Sequence, residues 1–343
     1  MNREALLQQT FDMPTKDNVL AYLSGDGLTK LFKGFTSIFL VPMFAIALFL
    51  GLWSAGAQQV QTSLGTLPGP AEVWQQTKVL YTEHAAERDK EAAFYERMKK
   101  RVDKAIAANK PAERIAKIKA RRYTGPETFI DQIFTSLWTV MTGFILGSLI
   151  AIPLGIVIGM SNTLYSAFNP IIQIFKPVSP LAWLPLVTMV VSAVYVSNDP
   201  MFSKSFVTSA ITVTLCCLWP TIINTAVGVS SVSNDLINVS RVLRLSWITK
   251  TVKIIIPSSI PMIFTGLRLS LGIGWMVLIA AEMLAQNPGL GKFVWDEFQN
   301  GSSNSLARIM VAVLVIGFIG YMLDRAMLML QRSVNWDKSA TLR

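Results

Sequence analysis

The chain has 343 residues, of which 52% are hydrophobic and 15% charged, and it carries a net charge of +10. With a mean hydropathy of +0.44, this composition excludes an ordinary soluble domain and fits a polytopic membrane protein. In such a chain the surplus of Lys and Arg reports cytoplasmic loops rather than a nucleic-acid partner.

Residues 1–34 mix Arg3, Lys16, Lys30 and Lys33 with Glu4, Asp12, Asp17 and Asp26 and read as a cytoplasmic N-terminal segment. The first apolar run starts only near Thr36, so residues 35–56 read as a retained span rather than a cleaved signal. Residues 37–56 are uncharged and match the ~20 residues a crossing needs, with Pro42 a tolerated kink. Residues 57–129 are expected to be a periplasmic loop. It opens with LPGPAEVW, carries fourteen Lys or Arg between Lys78 and Arg122, and holds nine Asp or Glu in all. Its Ala-, Glu-, Lys- and Arg-rich composition predicts an extramembrane helical hairpin, broken at Asn109-Lys110-Pro111 and ended at Gly125-Pro126. Glu96 and Lys100 support that helix at i, i+4, whereas Glu87 and Glu91 oppose it. The same tract also reads as a solvated spacer. It holds the one histidine, His84, so metal chemistry has almost no ligands to draw on.

Residues 130–335 are expected to form a core of five helices. Residues 132–160 are uncharged, and Gly143, Gly147, Gly155 and Gly159 recur at multiples of four. They line one face with small residues, which lets a neighbour approach closely; Pro153 interrupts the run. A third span is expected over residues 176–196 (KPVSPLAWLPLVTMVVSAVYV), its start kept irregular by Pro177, Pro180 and Pro185. Irregular backbone at membrane depth is tolerated beside protein or water, so this stretch reads either as the wall of a path or as a plain kinked helix. Asn198-Asp199-Pro200 makes a turn. A fourth run, residues 205–230, contains Trp219-Pro220 and the adjacent Cys216 and Cys217, which cannot staple a fold and read as packing residues.

Residues 238–261, NVSRVLRLSWITKTVKIIIPSSIP, interrupt the apolar pattern inside a loop spanning 229–261. Arg241, Arg244, Lys250 and Lys253 alternate at helical spacing with Val239, Val242, Leu243, Leu245, Ile248 and Val252. Pro257 and Pro261 stop that helix or start the next. A basic amphipathic helix between two spans either lies on anionic lipid or is presented to a partner in water. The fifth run, residues 264–285, holds Arg268 and Glu282, ~21 Å apart along a helix. They cannot pair within it, so each sits near an interface or faces a cavity or a partner. Gly266, Gly272 and Gly274 make it a second close-packing helix. Residues 285–303 form a loop with one short amphipathic helix. Its GLGK lacks the spacing and the preceding strand of a phosphate loop. Residues 309–330 form the sixth span and 336–343 a cytoplasmic tail. Six spans put both termini on one side. That side carries twelve Lys or Arg, against Lys204, Lys292 and Arg308 in the short loops opposite, which makes it cytoplasmic. The 57–129 loop exceeds the ~60-residue length at which that rule loses force.

Residues 238–261 resemble the loop by which permeases of ATP-binding-cassette (ABC) importers seat on their ATPase subunits. The family pattern reads Glu-Ala-Ala, three residues, Gly, then a helix and a Pro some dozen residues on. Here Asn238, Val239 and Ser240 stand where Glu-Ala-Ala would; Arg241, Leu243 and Ser246 fit; and Pro257 sits where Pro is expected. Arg244 stands where Gly is usual, and a tight turn there would hold it at positive φ, which Gly adopts far more readily. Over about residues 35–335, LPGP, KPVSPLAWLPL, LWPTIINTAVGV, IFTGLRLSLG and LIAAEML together resemble permeases of the nitrate, sulfonate, taurine and bicarbonate group. KPVSPLAWLPL, AAEMLAQNPGLGKFVWDEFQNGSS and LDRAML most resemble the nitrate/nitrite or cyanate branch.

The resemblance implies an all-α membrane protein with six transmembrane helices in the type I ABC importer architecture, carrying an extramembrane helical insertion. It implies a homodimer of permeases, two cytoplasmic ATPase subunits that bind ATP and Mg, and a periplasmic substrate-binding protein, in the lipid bilayer of a bacterial inner membrane. The cargo would be a small inorganic anion, nitrate or nitrite first, with cyanate, bicarbonate or an organosulfonate as alternatives. This chain has no nucleotide motif and is expected to be a transport subunit rather than an enzyme, without catalytic residue, metal or cofactor. The coupling residues would be Asn238, Ser240, Arg241, Leu243, Arg244, Leu245, Ser246, Trp247 and Pro257. Arg241 and Arg244 would pair with acidic groups of the ATPase groove, and Leu243, Leu245 and Trp247 would plug it. Arg268 would attract the anion, with Glu282, Thr135, Ser136, Thr139, Ser179 and Trp183 along its path. The small-residue faces suit a permease dimer. A secondary transporter would want paired carboxylates or repeated halves, but Glu282 is the one deep acid. A membrane enzyme would want a cluster of His, Cys or carboxylates, and a scaffold would use 57–129 as its working part.

Overall fold

The computed structural model describes residues 40–62, 65–196, 201–302 and 304–334. The N-terminal segment 1–34, the turn at Asn198-Asp199-Pro200 and the tail 336–343 lie outside the described residues. Nearly every element is a helix, as a chain in lipid requires, because each backbone polar group must be satisfied within its own segment. The chain divides into two compact units at Trp74.

The first unit contains α1 (Val41–Ala57), which has 17 residues and no charge. A two-residue ribbon follows, β1 (Gln61–Thr62) against β2 (Gly65–Thr66), antiparallel with Gln61 opposite Thr66. This ribbon is a small exception to the all-α expectation.

The insertion begins with α2 (Pro70–Ala107), 38 residues without a break. Asn109, at φ 50°, ends it, the Lys110 amide returns to the Ala105 carbonyl at 3.1 Å, and Pro111 immediately precedes α3 (Ala112–Lys119). Asn tolerates the left-handed region better than most residues and is used at such helix ends, so the expected break falls at Asn109-Lys110-Pro111. The insertion is tied to the bundle by specific polar contacts. Arg308 grips Glu83 at 2.8 and 3.0 Å, Arg88 reaches Asp131 at 3.1 Å, and His84 Nδ1 meets Thr128 Oγ1 at 2.6 Å. The Tyr123 hydroxyl donates to Glu87 at 2.6 Å, and that bond together with Lys90 holds the Glu87 carboxyl below its ordinary value of 4.5. This contact is therefore present at neutral pH and is lost as pH falls through the lowered value.

The bundle comprises α4 (Phe129–Gly159), α5 (Asn162–Phe175), α6 (Pro180–Val194), α7 (Lys204–Ser230), α8 (Asn234–Val242), α9 (Trp247–Lys250), α10 (Ile256–Ala285), α11 (Leu290–Asn300) and α12 (Ser305–Val334). Helix α4 opens with a capping box in which the Thr128 and Asp131 side chains each bond the other's backbone N–H. One π-helical turn, Thr251–Ile255, joins α9 to α10, so residues 247–285 run as one span. Pro257 lies in the first turn of α10, and Pro261 lies inside that helix and stops nothing.

Of the six expected crossings, four appear as long apolar helices (α4, α7, α9–α10 and α12) and a fifth as the pair α5 and α6; α1 is apolar but, at 17 residues, shorter than these. The third crossing differs from the expectation. Residues 176–196 were expected to make it alone, but α5 and α6 make it together, meeting at 95°. Neither is long enough by itself: 14 and 15 residues rise ~21 and ~22 Å, against a hydrocarbon core of ~30 Å. The chain leaves α4 beside Met160, which contacts Thr251. It re-enters at Ser203, which shares a pocket with Thr135 at the far end of α4. The bent pair therefore crosses once. At the bend, Phe175 stacks on Trp183 at 5.9 Å and on Trp219 of α7 at 5.7 Å.

Helix α7 is the central member. A Cβ added at Gly143 would lie 2.7 Å from the Ala210 carbonyl, and one at Gly155 or Gly159 2.6 and 2.5 Å from Thr225 Cβ and the Ala226 carbonyl. Gly266 and Gly274 of α10 meet an adjoining face of α7, at Asn224 and Cys217. The small-residue faces, expected to suit a permease dimer, are thus spent inside the chain at these positions. Thr221 and Ser270 share a 2.6 Å hydrogen bond, and Ser270 Oγ donates to the Cys217 carbonyl at 2.7 Å. Both cysteines are buried and unpaired.

Candidate functional site

The two ends of the bundle carry different chemistry. One end presents the basic stretch. Ser233 caps α8 by accepting the Leu236 amide, and the helix ends in a left-handed turn. Leu245 N–H bonds the Ser240 carbonyl and Arg244 N–H bonds the Arg241 carbonyl, each at 3.0 Å. This is the Schellman pairing. Arg244 occupies its left-handed position at φ 48°, so the turn usually given to Gly forms here on an arginine. Ser246 then caps α9, accepting the Thr249 amide at 3.2 Å.

The sequence-predicted residues divide by exposure. Asn238, Arg241, Leu243, Arg244, Ser246 and Trp247 face outward, whereas Ser240 is buried and Leu245 half-buried. Leu245 therefore braces the turn rather than projecting from it. Sequence reading missed Val242, 82% exposed, and Ile248, 68% exposed; the signal was their place beside Leu243 and Trp247 on the alternating face. The knuckle is rooted in a cluster of Ile156, Val229, Val232 and Ile255, against which Ile237 of α8 and Met160 pack. Three spans and α8 thus meet in one aliphatic knot. An arrangement like this transmits displacement, because close-packed side chains do not compress.

The other end holds a buried polar knot. The Glu282 carboxyl, 1% exposed, accepts Ser136 Oγ at 2.8 and 2.9 Å and the Gly291 amide at 3.0 Å. Ser136 Oγ in turn accepts the Leu290 amide at 2.9 Å. Gln286 at φ 54° and Gly289 at φ 145° turn the chain back over the carboxyl, and a Cβ at Gly289 would lie 2.3 Å from it. Asn287 donates to Ser209 Oγ at 2.7 Å. Glu282, a candidate for the substrate path, is committed here to closing a loop.

Beside this knot lies a pocket of about 280 Å³ lined by Thr135, Thr139, Ser203, Ser205, Ser209 and Asn287, with Trp138, Phe202 and Phe206 as aromatic wall and Glu127 also lining it. Thr135 and Thr139 spend their hydroxyl protons on the Asp131 and Thr135 carbonyls, leaving the serines as donors. The remaining candidates lie elsewhere. Ser179 caps α6, and Trp183 stacks at the bend described above. Arg268 Nε and Nη2 donate to Asp324 Oδ1 at 3.0 and 2.9 Å, and Nη2 also to Oδ2 at 3.2 Å. The arginine is therefore paired, not a bare cation. The seven path candidates thus occupy four places in one protomer. Among the described residues no group of three or more His, Cys, Asp or Glu could hold a metal ion.

Residues 151–336 match the family described as "binding-protein-dependent transport system inner membrane component". The nitrate import permease protein NrtB of Synechococcus elongatus is 38% identical over 204 residues, 60% of this chain and 69% of that protein. The bicarbonate transport system permease protein CmpB of the same organism is 36% identical over 202 residues, 59% of this chain and 68% of that protein. A permease chain from inward-facing structures of the MetNI methionine ABC transporter superposes with a TM-score of 0.51 at 14% identity, covering 60% of this chain and 95% of that one.

Proposed function

The chain belongs to the family of binding-protein-dependent transport system inner membrane components and is a permease subunit of an ABC importer; from that premise we propose that its cargo is a small inorganic anion, nitrate before bicarbonate. Relatives named for each anion support this class, and the nitrate-branch motifs put nitrate first. The observation that carries the ATP-driven reading is the exposed knuckle of Val242, Leu243, Arg244 and Trp247 standing on the three-span knot. Two copies of the chain would pair, with an ATPase subunit gripping each knuckle on the cytoplasmic side. An external binding protein would dock at the end that carries the Ser209 pocket. Closure of the ATPases would drive the knuckles and alternate the access of a cavity between the copies.

The test is uptake into vesicles holding the permease with its ATPase and binding protein. Nitrate uptake that requires ATP on the Trp247 side is expected. Uptake without ATP would replace this reading with a secondary transporter, and response to bicarbonate alone would replace nitrate.

Arg268 would meet the anion already paired with Asp324. Arg268→Gln is expected to lower both thermal stability and nitrate transport. Adding Asp324→Asn removes the carboxylate that Arg268→Gln strands, and should recover part of the lost thermal stability without recovering transport. Restored transport in the double variant would assign the arginine to packing alone.

A further inference from the structure

Residues 97–122 carry eleven Lys or Arg against two acids, Asp103 and Glu113, a surplus of +9 in a chain of net charge +10. The importer reading uses none of this charge. In the earlier part of α2 four acids are matched: Glu83 with Arg308, Glu87 with Lys90, Glu91 with Arg88 and Glu96 with Lys100. Beyond Lys100 the matching stops.

The cations there are gathered into a cleft of about 460 Å³ between the end of α2 and α3, lined by Arg101, Lys104, Lys110, Arg114, Lys117 and Arg121. Among the described residues none of the six is in an ion pair, and no carboxylate lines the cleft. Its remaining lining, Met98, Ala105 and Ile118, is apolar, and Met98 and Ala105 are buried. The cleft is held open by structure, not by chance of side-chain position. The left-handed Asn109 and the Lys110–Ala105 bond fix the angle between the two helices.

We propose that this cleft binds a ligand carrying two or more phosphate-type charges. Six cations kept together without counter-charge repel one another, and a multiply charged anion relieves that repulsion at several contacts at once. Its three arginine forks, of Arg101, Arg114 and Arg121, suit phosphate oxygens bidentately. The volume falls in the range of small-molecule sites and is far larger than a single inorganic monoanion needs, which separates it from the transported cargo. No aromatic side chain lines it, so it lacks the stacking platforms of a single-stranded nucleic-acid site. The phosphates could belong to a phospholipid headgroup, with the apolar floor beneath its acyl carbons, or to a free polyphosphate. The inference stands apart from the nitrate reading.

The test uses the purified full-length permease in nanodiscs of zwitterionic phosphatidylcholine. Inorganic tripolyphosphate is titrated calorimetrically, and retention of cardiolipin is followed in parallel by native mass spectrometry. One variant, Arg101→Gln/Arg114→Gln/Lys117→Gln, removes three charges from the cleft. A second, Lys99→Gln/Lys119→Gln/Arg122→Gln, removes three from the same hairpin outside it. Saturable binding of either probe, weakened at least about tenfold by the first variant and less than about threefold by the second, is expected. Tripolyphosphate binding would identify a soluble ligand, and cardiolipin retention alone a lipid. Equal weakening by both variants would show diffuse charge attraction and overturn the site, as would saturable binding of neither probe.

Discussion

Leu243→Asp is expected to leave the permease folded and inserted while cutting substrate-stimulated ATP hydrolysis at least about 30-fold. Leu243 is 63% exposed in the protomer, so the substitution breaks no packing there. What it would damage is seating. A carboxylate placed where an apolar anchor should enter a desolvated groove costs roughly 2–4 kcal/mol, and each 1.4 kcal/mol is a factor of ten in affinity. Val242→Asp should behave the same way, because Val242 is more exposed still. Stimulated hydrolysis is read in vesicles holding the permease, its ATPase and its binding protein. Stimulation unchanged from the wild type would remove the knuckle from the coupling path.

Gly291→Ala is expected to have the largest effect on stability, a loss of about 3 kcal/mol or more. An alanine Cβ there would lie 2.1 Å from the Ile279 carbonyl and 2.9 Å from the Met283 amide. Both are backbone atoms inside α10, so neither can swing aside. Displacing residue 291 would also break the amide bond to Glu282 Oε2 and leave a buried carboxyl short of a donor, adding to the overpacking cost. The control is Gly317→Ala on α12, where nothing lies within 4 Å and helix propensity favours alanine. Thermal unfolding followed by loss of the monodisperse peak on size exclusion measures both. Equal transition temperatures for Gly291→Ala and the wild type would show that the knot does not hold this end together.

Hydropathy located the long spans because a crossing helix must hide its backbone and shed its charge over some twenty residues. It misread the third crossing because α5 contains Asn169, Pro170 and Gln173, which dilute its apolar character, and Lys176 interrupts at the bend. Periodicity found the glycine stripe on α4 but not what it faces. The period fixes a face of a helix, whereas the neighbour on that face, α7, starts 45 residues beyond the last of these glycines. Arg268 and Glu282 were visible as charges in apolar surroundings. Their partners were not, since Asp324 and Ser136 lie 56 and 146 positions away and nothing local marks the pairing. The knuckle was legible because its signal is local: charge alternating with apolar residues at helical spacing, and Pro257 and Pro261 just beyond. Even there, the burial of Ser240 and the outward position of Val242 depended on which way the helix rolls against the knot.

The grip on α7 by glycines of two neighbouring helices has a mechanical consequence. With glycines bringing backbone to within van der Waals reach on two faces, and Thr221, Ser270 and Cys217 linked across one of them, α4, α7 and α10 cannot slide past each other without forfeiting contact along their whole length. On the proposed coupling, a push on the knuckle would swing these three helices as a single door leaf. The bending would then fall on the elbow at Phe175, Trp183 and Trp219, where the jamb is made of stacked rings.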